Sequence, residues 1–384
     1  MTGIAFVGCG FVSDYYVRTL EHHSNLELIG AYDHDPTRLQ HWSEYHNVYS
    51  YQSYEKVLAD DRVSVIVNLT NPHSHYQVSS AALSAGKHVY SEKPLATSID
   101  DATALVKQAR DAGLELSSAP CNLFSETAQT IWKALRDGLI GKSHLVYAEL
   151  DDDLIHRAPY QNWKSESGVA WPAQDEFEVG CTMEHAGYYL AWLVAYFGQI
   201  DSVTSFGSIC VADKAVDFEL RRQSPDFTCA CIRFESGMIA RLTCSIIATH
   251  DHRLRIFGDE GVLSTQDCWF YRSPVHLQRR WEIRRRMMMS PFKKRLPLIG
   301  EPSPKFAYKG SQQLNFAQGI ADLADAVNDG RPCYLDAEFC LHVNEAVIAI
   351  SESLSEPGVY QMKTSCTPPI PLEEFRAQYQ LAGV

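Results

Sequence analysis

The chain of 384 residues lacks any apolar run approaching the ~20 residues that span a bilayer, and no charged segment followed by an apolar one opens it. No membrane association is expected, and the expected location is the cytoplasm. Positive charge is also in short supply. Against 47 acidic residues stand 34 Lys and Arg, for a net charge of -13, which opposes a general role in binding nucleic acid because phosphate contacts need clustered basic side chains. The 11 cysteines are an odd number without two paired C-x-x-C units, which suits buried free thiols better than a disulfide frame or a structural zinc. The closest pair, Cys229-Ala230-Cys231, would share one face of a strand, and core packing is its expected role. No compact His/Asp/Glu set has ligand spacing, so no metal is expected. Internal repeats and low-complexity tracts are absent as well.

What is present suits a two-domain enzyme, since 45% apolar residues supply ample core for a length beyond one typical domain. A short apolar strand, Ile4-Ala5-Phe6-Val7, runs directly into Gly8-Cys9-Gly10-Phe11-Val12-Ser13. This is a dinucleotide-binding fingerprint. The first glycine permits the tight turn, the second lets backbone approach a pyrophosphate, and the next helix points its N-terminal N–H groups at the phosphates. Ser13 replaces the third glycine and is still small enough for close packing. A second apolar run, Leu26 to Tyr32, ends at Asp33, at the distance where a carboxylate meets the adenosine ribose. Such a carboxylate accepts from both ribose hydroxyls and repels a 2′-phosphate, and no basic residue follows before Arg38. NAD is therefore favoured over NADP. An Asp that merely opens the turn Asp33-His34-Asp35-Pro36 is the plainer alternative.

Strand candidates at 3–8, 26–33, 63–69, 87–91 and 114–118 alternate with helical stretches at 12–23, 36–46, 53–59, 74–85 and 98–112, implying a parallel sheet covered on both faces. Beyond Cys121 the pattern changes. A helix at 125–137 precedes β-prone runs at 143–151, 202–211, 227–235, 238–248 and 252–258, with Glu235-Ser236-Gly237-Met238 as a hairpin turn, and helices return at 312–329 and 336–354. The expected architecture is an α/β Rossmann domain over 1–121, then an α+β domain over 122–384 with an open, largely antiparallel sheet. A basic run between Arg272 and Arg295, with Trp281 and three methionines interleaved, reads as a solvated face or flexible insertion. The alternative is a lid or subunit contact gripping an anionic group such as a nucleotide-sugar diphosphate.

Two strand ends carry chemistry. Asn68-Leu69-Thr70-Asn71-Pro72-His73-Ser74-His75 places polar residues at the carboxyl edge of the sheet, where ligands of open α/β sheets bind. Ser91-Glu92-Lys93-Pro94 ends the next strand, and the proline holds Lys93 extended toward the same crevice. These segments, with Ala85-Gly86-Lys87-His88-Val89, Asn122-Leu123-Phe124, Asp137-Gly138-Leu139-Ile140-Gly141-Lys142 and Asn328-Asp329-Gly330-Arg331-Pro332, resemble the Gfo/Idh/MocA oxidoreductase family over nearly the whole chain. The resemblance implies a Rossmann domain, a C-terminal α+β domain whose sheet carries subunit contacts, assembly as a homodimer or homotetramer, and oxidation or reduction of sugars and cyclitols. It also implies a Lys-Pro bond that is often cis. Gly8, Gly10, Phe11, Val12, Asp33, Thr70, Asn71, His75, Glu92 and Lys93 are the implied cofactor contacts.

The family's second catalytic motif, usually Asp-x-Gly-x-His-x-x-Asp, is altered here. Gapless matching from Gly180 to Gly198 puts Glu184 at the first Asp, Ala186 at the Gly, Tyr188 at the His and Ala191 at the last Asp. Tyrosine also stands at that place in some members. Tyr188 is the expected proton acceptor, and His185 the alternative if the loop shifts, its pKa being closer to neutrality. Lys93 would lower the phenol's pKa and stabilise alkoxide-like charge while hydride leaves for the nicotinamide. Asn122, Trp163, Glu184, His185 and Tyr188 join Lys93 as expected substrate contacts, within or beside the polar and aromatic segment 151–178. Two other readings fit the same fold: a redox-neutral epimerase or glycosidase with tightly held NAD, and a non-catalytic NAD-binding protein.

Overall fold

A computed structural model describes residues 1–300, 303–304, 313–354 and 358–381. The first 120 residues alternate as expected: β1 (Thr2–Val7), α1 (Ser13–Leu20), β2 (Leu26–Tyr32), α2 (Pro36–His46), α3 (Tyr54–Leu58), β3 (Val65–Asn68), α4 (His75–Ser84), β4 (His88–Ser91), α5 (Ile99–Ala112) and β5 (Leu116–Ser118). The strands pair in parallel in the order β2-β1-β3-β4-β5. Parallel strands sandwiched between helices bury both faces, and every residue of β1 and β3 is buried. The connections diverge between β1 and β3. A crevice opens at such a switch point, beyond the carboxyl ends of the strands, and it is there that the Gly8 turn and the Thr70 loop leave the sheet.

The rest of the chain forms α6 (Glu126–Arg136), β6 (Ser143–Asp151), α7 (Ala173–Val179), α8 (Cys181–Phe197), β7 (Ile200–Ser208), β8 (Phe227–Phe234), β9 (Ile239–Ser245), β10 (Leu254–Gly258), β11 (Gly261–Thr265), β12 (His276–Ile283), β13 (Arg286–Met289), β14 (Lys294–Arg295), α9 (Gln318–Asp329), α10 (Ala337–Ser351), β15 (Val359–Gln361) and α11 (Leu372–Gln378). Nine strands follow the order β13-β12-β11-β10-β6-β9-β8-β7-β15, and β14 lies beside β12. Only β6 and β9 run parallel among these described pairs. The sheet is open. Helices α8 and α10 pack on one face, while the other presents Phe206 at 63% exposure. Helix α10 also packs against α5 and β5, and α9 against β4 and β5, so the late helices tie the two sheets together.

Several local expectations change. Cys229 and Cys231 do share one face of β8, but it is the open face, leaving Cys229 half-buried and Cys231 exposed; the intervening Ala230 fills the core position instead. The basic run is solvated as expected, yet its backbone is a paired hairpin, from Arg280↔Met289 to Ile283↔Arg286, rather than an unstructured insertion. Helix α8 carries no readable periodicity because it is buried all round, with Ala186, Tyr189, Leu190, Trp192, Leu193 and Val194 fully inside. The helix expected over 312–329 begins at Gln318, and residue 312 lies outside the described residues.

Candidate functional site

The glycine turn explains its own composition in two different ways. Gly8 has φ +101, and a Cβ there would sit 2.5 Å from the Leu69 carbonyl oxygen and 2.7 Å from the Thr70 nitrogen, so the crossing of β1 and β3 demands glycine. Gly10 is under no such demand. It is outside the left-handed region, and a Cβ on it would meet nothing within 4 Å. The space that a side chain would fill beside the start of α1 fits a pyrophosphate cradle. Ser13, standing where a third glycine is usual, is fully buried and donates its hydroxyl to the Gly10 carbonyl at 2.6 Å. Val12 caps α1 without any side-chain hydrogen bond, the Ser13 and Tyr15 N–H groups donate to the Gly10 and Val12 carbonyls, and Phe11 packs edge-on against Tyr15 at 5.8 Å.

Asp33 sits at the tip of β2, with a side chain 3% exposed. Its carboxylate accepts from the Cys9 N–H (2.8 Å), the Asp35 N–H (2.8 Å), Arg38 Nε (2.9 Å) and Arg38 Nη2 (2.8 Å). Burial works against its charge, but the Arg38 guanidinium and the two backbone donors hold it below the ordinary carboxylate range. Four donors fill the lone-pair sites a carboxylate offers. Arg38, five residues on, is thus part of the site, a contact that spacing did not reveal.

Lys93, two residues past the end of β4, makes a cis peptide bond to Pro94, and its ammonium pairs with Glu184 on α8. Tyr188 lies one helical turn beyond Glu184, on the same face. Lys93, Glu184 and Tyr188, with Pro94, Pro120 and Asn344, line one cavity of about 30 Å³. Burial disfavours a charged Lys93, but Glu184 overrides it and holds the ammonium far above the usual lysine range. For Tyr188 the balance tips the other way: burial pushes the phenol well up and outweighs the downward pull of Lys93. Half-buried Glu176 of α7 is also pushed well up, by burial and by the charge of Glu184. Nothing in the spacing of Glu176 marked it.

Other expected residues support these groups. Glu92 is buried and accepts from Tyr16 Oη (2.7 Å) and from the Lys93 N–H (2.8 Å), fixing the backbone from which the lysine projects. His75 is buried between the carbonyls of Pro94 (2.6 Å) and Thr70 (3.0 Å), tying the Thr70 loop to the lysine turn. Thr70 donates to Asn68 Oδ1 at 2.6 Å, and Asn71 Oδ1 accepts from the Ser74 N–H at 3.2 Å. Asn122 donates to the carbonyls of Tyr188 (3.2 Å) and Cys268 (3.4 Å), anchoring α8 at the tyrosine. Trp163 packs edge-on against Trp171 at 5.2 Å, in a strap that reaches back to α1 through Arg18–Glu166 (2.6 Å) and the Ser167 N–H donating to Asp14 (2.7 Å). His185 turns away from Lys93: its Nδ1 lies 2.9 Å from Asp152 Oδ2 and its ring packs on Trp269, which also touches Tyr188 and His252.

Comparison with known proteins identifies the family. Residues 2–119 match the oxidoreductase family with an NAD-binding Rossmann fold, and residues 128–264 match the GFO/IDH/MocA C-terminal domain. A trans-1,2-dihydrobenzene-1,2-diol dehydrogenase from Mus musculus is 23% identical over 268 residues, covering 68% of this chain and 74% of its own. An oxidoreductase from Agrobacterium radiobacter, solved with NAD+, L-tartaric acid and magnesium, superposes with a TM-score of 0.71 at 15% identity, covering 94% of this chain and 98% of its own. A 3-ketoreductase from Actinomadura kijaniata, solved with TDP-benzene and NADP, gives 0.68 at 20% identity, covering 91% and 96%. The chain belongs to the Gfo/Idh/MocA oxidoreductases, a family of NAD(P)-dependent enzymes.

Proposed function

We propose that this oxidoreductase moves a hydride between a nicotinamide and a secondary hydroxyl or ketone on a ring bearing neighbouring hydroxyls, as in a sugar, a cyclitol or a nucleotide sugar. The observation that carries this reading is the grouping of Lys93, Glu184 and Tyr188 around one cavity at the carboxyl edge of the first sheet. Bound at the Gly8–Ser13 turn, the nicotinamide dinucleotide supplies the hydride acceptor or donor. The Lys93 ammonium holds the reacting oxygen. In reduction the neutral Tyr188 phenol gives that oxygen its proton, and Lys93 stabilises the charge developing there. In oxidation the phenol must first lose its proton, which burial opposes. Glu184 keeps the lysine charged and aimed, and Glu92 and His75 fix its backbone. A cavity of about 30 Å³ holds no sugar ring, and its walls come from the turn after β4, the end of β5, α8 and α10. Substrate entry therefore parts these walls and loosens the Lys93–Glu184 pair.

The cofactor reading shifts from the expectation that NAD is favoured over NADP. Arg38 compensates the charge of Asp33, so the carboxylate no longer confronts a 2′-phosphate unshielded, and a guanidinium suits such a phosphate. Both NAD and NADP are expected to bind. Subunit contacts are assigned to the open sheet face, as a homodimer or homotetramer. Among the described residues no helix is long and apolar enough to cross a membrane. The test is a screen of purified protein with sugars, inositols, nucleotide sugars and cyclic diols plus NAD or NADP, and with the matching ketones plus NADH or NADPH. Turnover on ring polyols that vanishes in Lys93→Ala supports the reading. Activity confined to substrates without neighbouring hydroxyls, or indifferent to Lys93, overturns it.

A further inference from the structure

Beside α8, three side chains from distant parts of the chain meet. Asp152 follows β6, while His250 and His252 lie on the extended segment that enters β10, joined to it by the bridge Asp151↔Asp251. Alternate residues of an extended segment face one way, so the His-x-His pair presents two imidazoles to one carboxylate. One donor atom from each of the three lies within 4.8 Å of the other two. His252 Nε2 is 2.8 Å and His250 Nδ1 3.8 Å from Asp152 Oδ1. Ligand atoms around a tetrahedral ion with bonds of ~2.0–2.1 Å stand roughly 3.3 Å apart, a value these two separations bracket.

The surroundings supply the outer groups that a metal centre uses. Asp152 has a side chain 8% exposed, and its Oδ2 forms no hydrogen bond although His185 Nδ1 is 2.9 Å away; His252 is fully buried, and its Nδ1 likewise forms none. The Asp267 carboxylate lies 3.5 Å from that His252 Nδ1. A carboxylate behind a ligating imidazole and an imidazole behind a ligating carboxylate are the outer groups that orient ligands at metal sites. His250, half exposed, opens the cluster onto a cavity of about 560 Å³ that Asp267 and Arg272 also line, leaving room for water or an anion in the remaining coordination positions.

We propose that Asp152, His250 and His252 bind a divalent first-row transition ion, of the zinc or cobalt class, with His185 and Asp267 orienting the ligands. Two imidazoles and one carboxylate suit such ions and not magnesium or calcium, which prefer oxygen donors throughout. Through His185 the ion would brace the helix that carries Glu184 and Tyr188. The proposal stands apart from the hydride-transfer reading, because its test needs neither substrate nor turnover.

Full-length protein is stripped with a chelator, dialysed, and titrated with Zn2+ by calorimetry and with Co2+ by visible absorption. The expected result is one equivalent bound per chain, with Co2+ d–d bands of a low-coordinate nitrogen–oxygen site. His250→Ala, at a half-exposed position, is expected to weaken both ions by at least about tenfold while the metal-free melting temperature and NAD(P)H binding stay as in the parent. Asp152→Asn provides a second variant of nearly the same shape. Absence of a stoichiometric equivalent in the parent, or equal Zn2+ and Co2+ binding by the parent and a folded His250→Ala, overturns the proposal.

Discussion

The glycine turn and the lysine centre both hold an ion pair where a ligand is expected, but they are assembled at very different distances along the chain. Asp33 and Arg38 lie five residues apart on one β–turn–α unit, with Arg38 a third exposed. Lys93 and Glu184 come from a strand tip and a buried helix separated by 91 positions, and both are largely covered. The first pair can open by rotating one long side chain into solvent. The second can open only if the elements carrying it move or if substrate replaces the carboxylate. Cofactor choice is therefore the adaptable property of this enzyme and chemistry the rigid one.

The hardest way to break that contrast is at Lys93. Lys93→Ala removes the only cation that lines the cavity among the described residues, and loss of one preorganised donor costs about 10²–10³ in kcat. Cofactor affinity should change less than about twofold, since the glycine turn is built from other residues. Steady-state kinetics alongside NAD(P)H fluorescence titration measures both, and an unchanged kcat would remove the lysine from the mechanism.

Tyr188 sharpens the contrast through pH. Its phenol is pushed up by burial, so it stays protonated across the neutral range. Reduction uses that proton and should be nearly flat with pH there, whereas oxidation needs the deprotonated form and should rise about tenfold per pH unit well below the phenol's pKa. Tyr188→Phe is expected to lose about 10²-fold in kcat and to flatten the oxidation profile. A profile unchanged in the variant would hand the proton to another group.

The contrast in chain distance also governs what could be read before the structure. The parallel sheet, the glycine turn and the Lys93 strand tip were legible because each is a local pattern, an apolar run ending in residues that fit a turn. Glu184 and Tyr188 were found through motif register alone, for α8 is apolar on every side and shows no period. Glu176, whose carboxyl feels the charge of Glu184, left no mark. Neither did the meeting of Asp152 with His250 and His252, since a gap of about a hundred residues has no ligand spacing to recognise; the His-x-His pair at the entrance to β10 was the one available signal. The hairpin at β12 and β13 was hidden for another reason. Its side chains are exposed on both faces, so the alternation that betrays a half-buried strand is missing.

Within the turn, Gly8 and Gly10 should respond oppositely. Gly8→Ala forces a Cβ against the Leu69 carbonyl at positive φ and should destabilise the fold. Gly10→Ala meets no protein atom, so its melting temperature should hold while NAD(P)H affinity falls by about tenfold or more. Thermal denaturation paired with cofactor titration separates the two, and a Gly10→Ala protein that binds cofactor normally would move the pyrophosphate elsewhere.

The smallest effect belongs to Arg38. If the guanidinium both neutralises Asp33 and receives a 2′-phosphate, Arg38→Ala should do two things at once. It frees two lone-pair positions on the Asp33 carboxylate for the ribose hydroxyls, so NAD binding holds or tightens slightly. It also leaves an uncompensated anion facing the phosphate, so NADP binding weakens by about tenfold, as expected from losing one charge-assisted contact at a partly solvated site. The ratio of the two dissociation constants, measured at low and at physiological salt, reads the effect directly, because the phosphate contribution should shrink with ionic strength and the hydroxyl contribution should not. A ratio that stays fixed in the variant would mean that Arg38 serves only to brace Asp33 against Cys9 and Asp35.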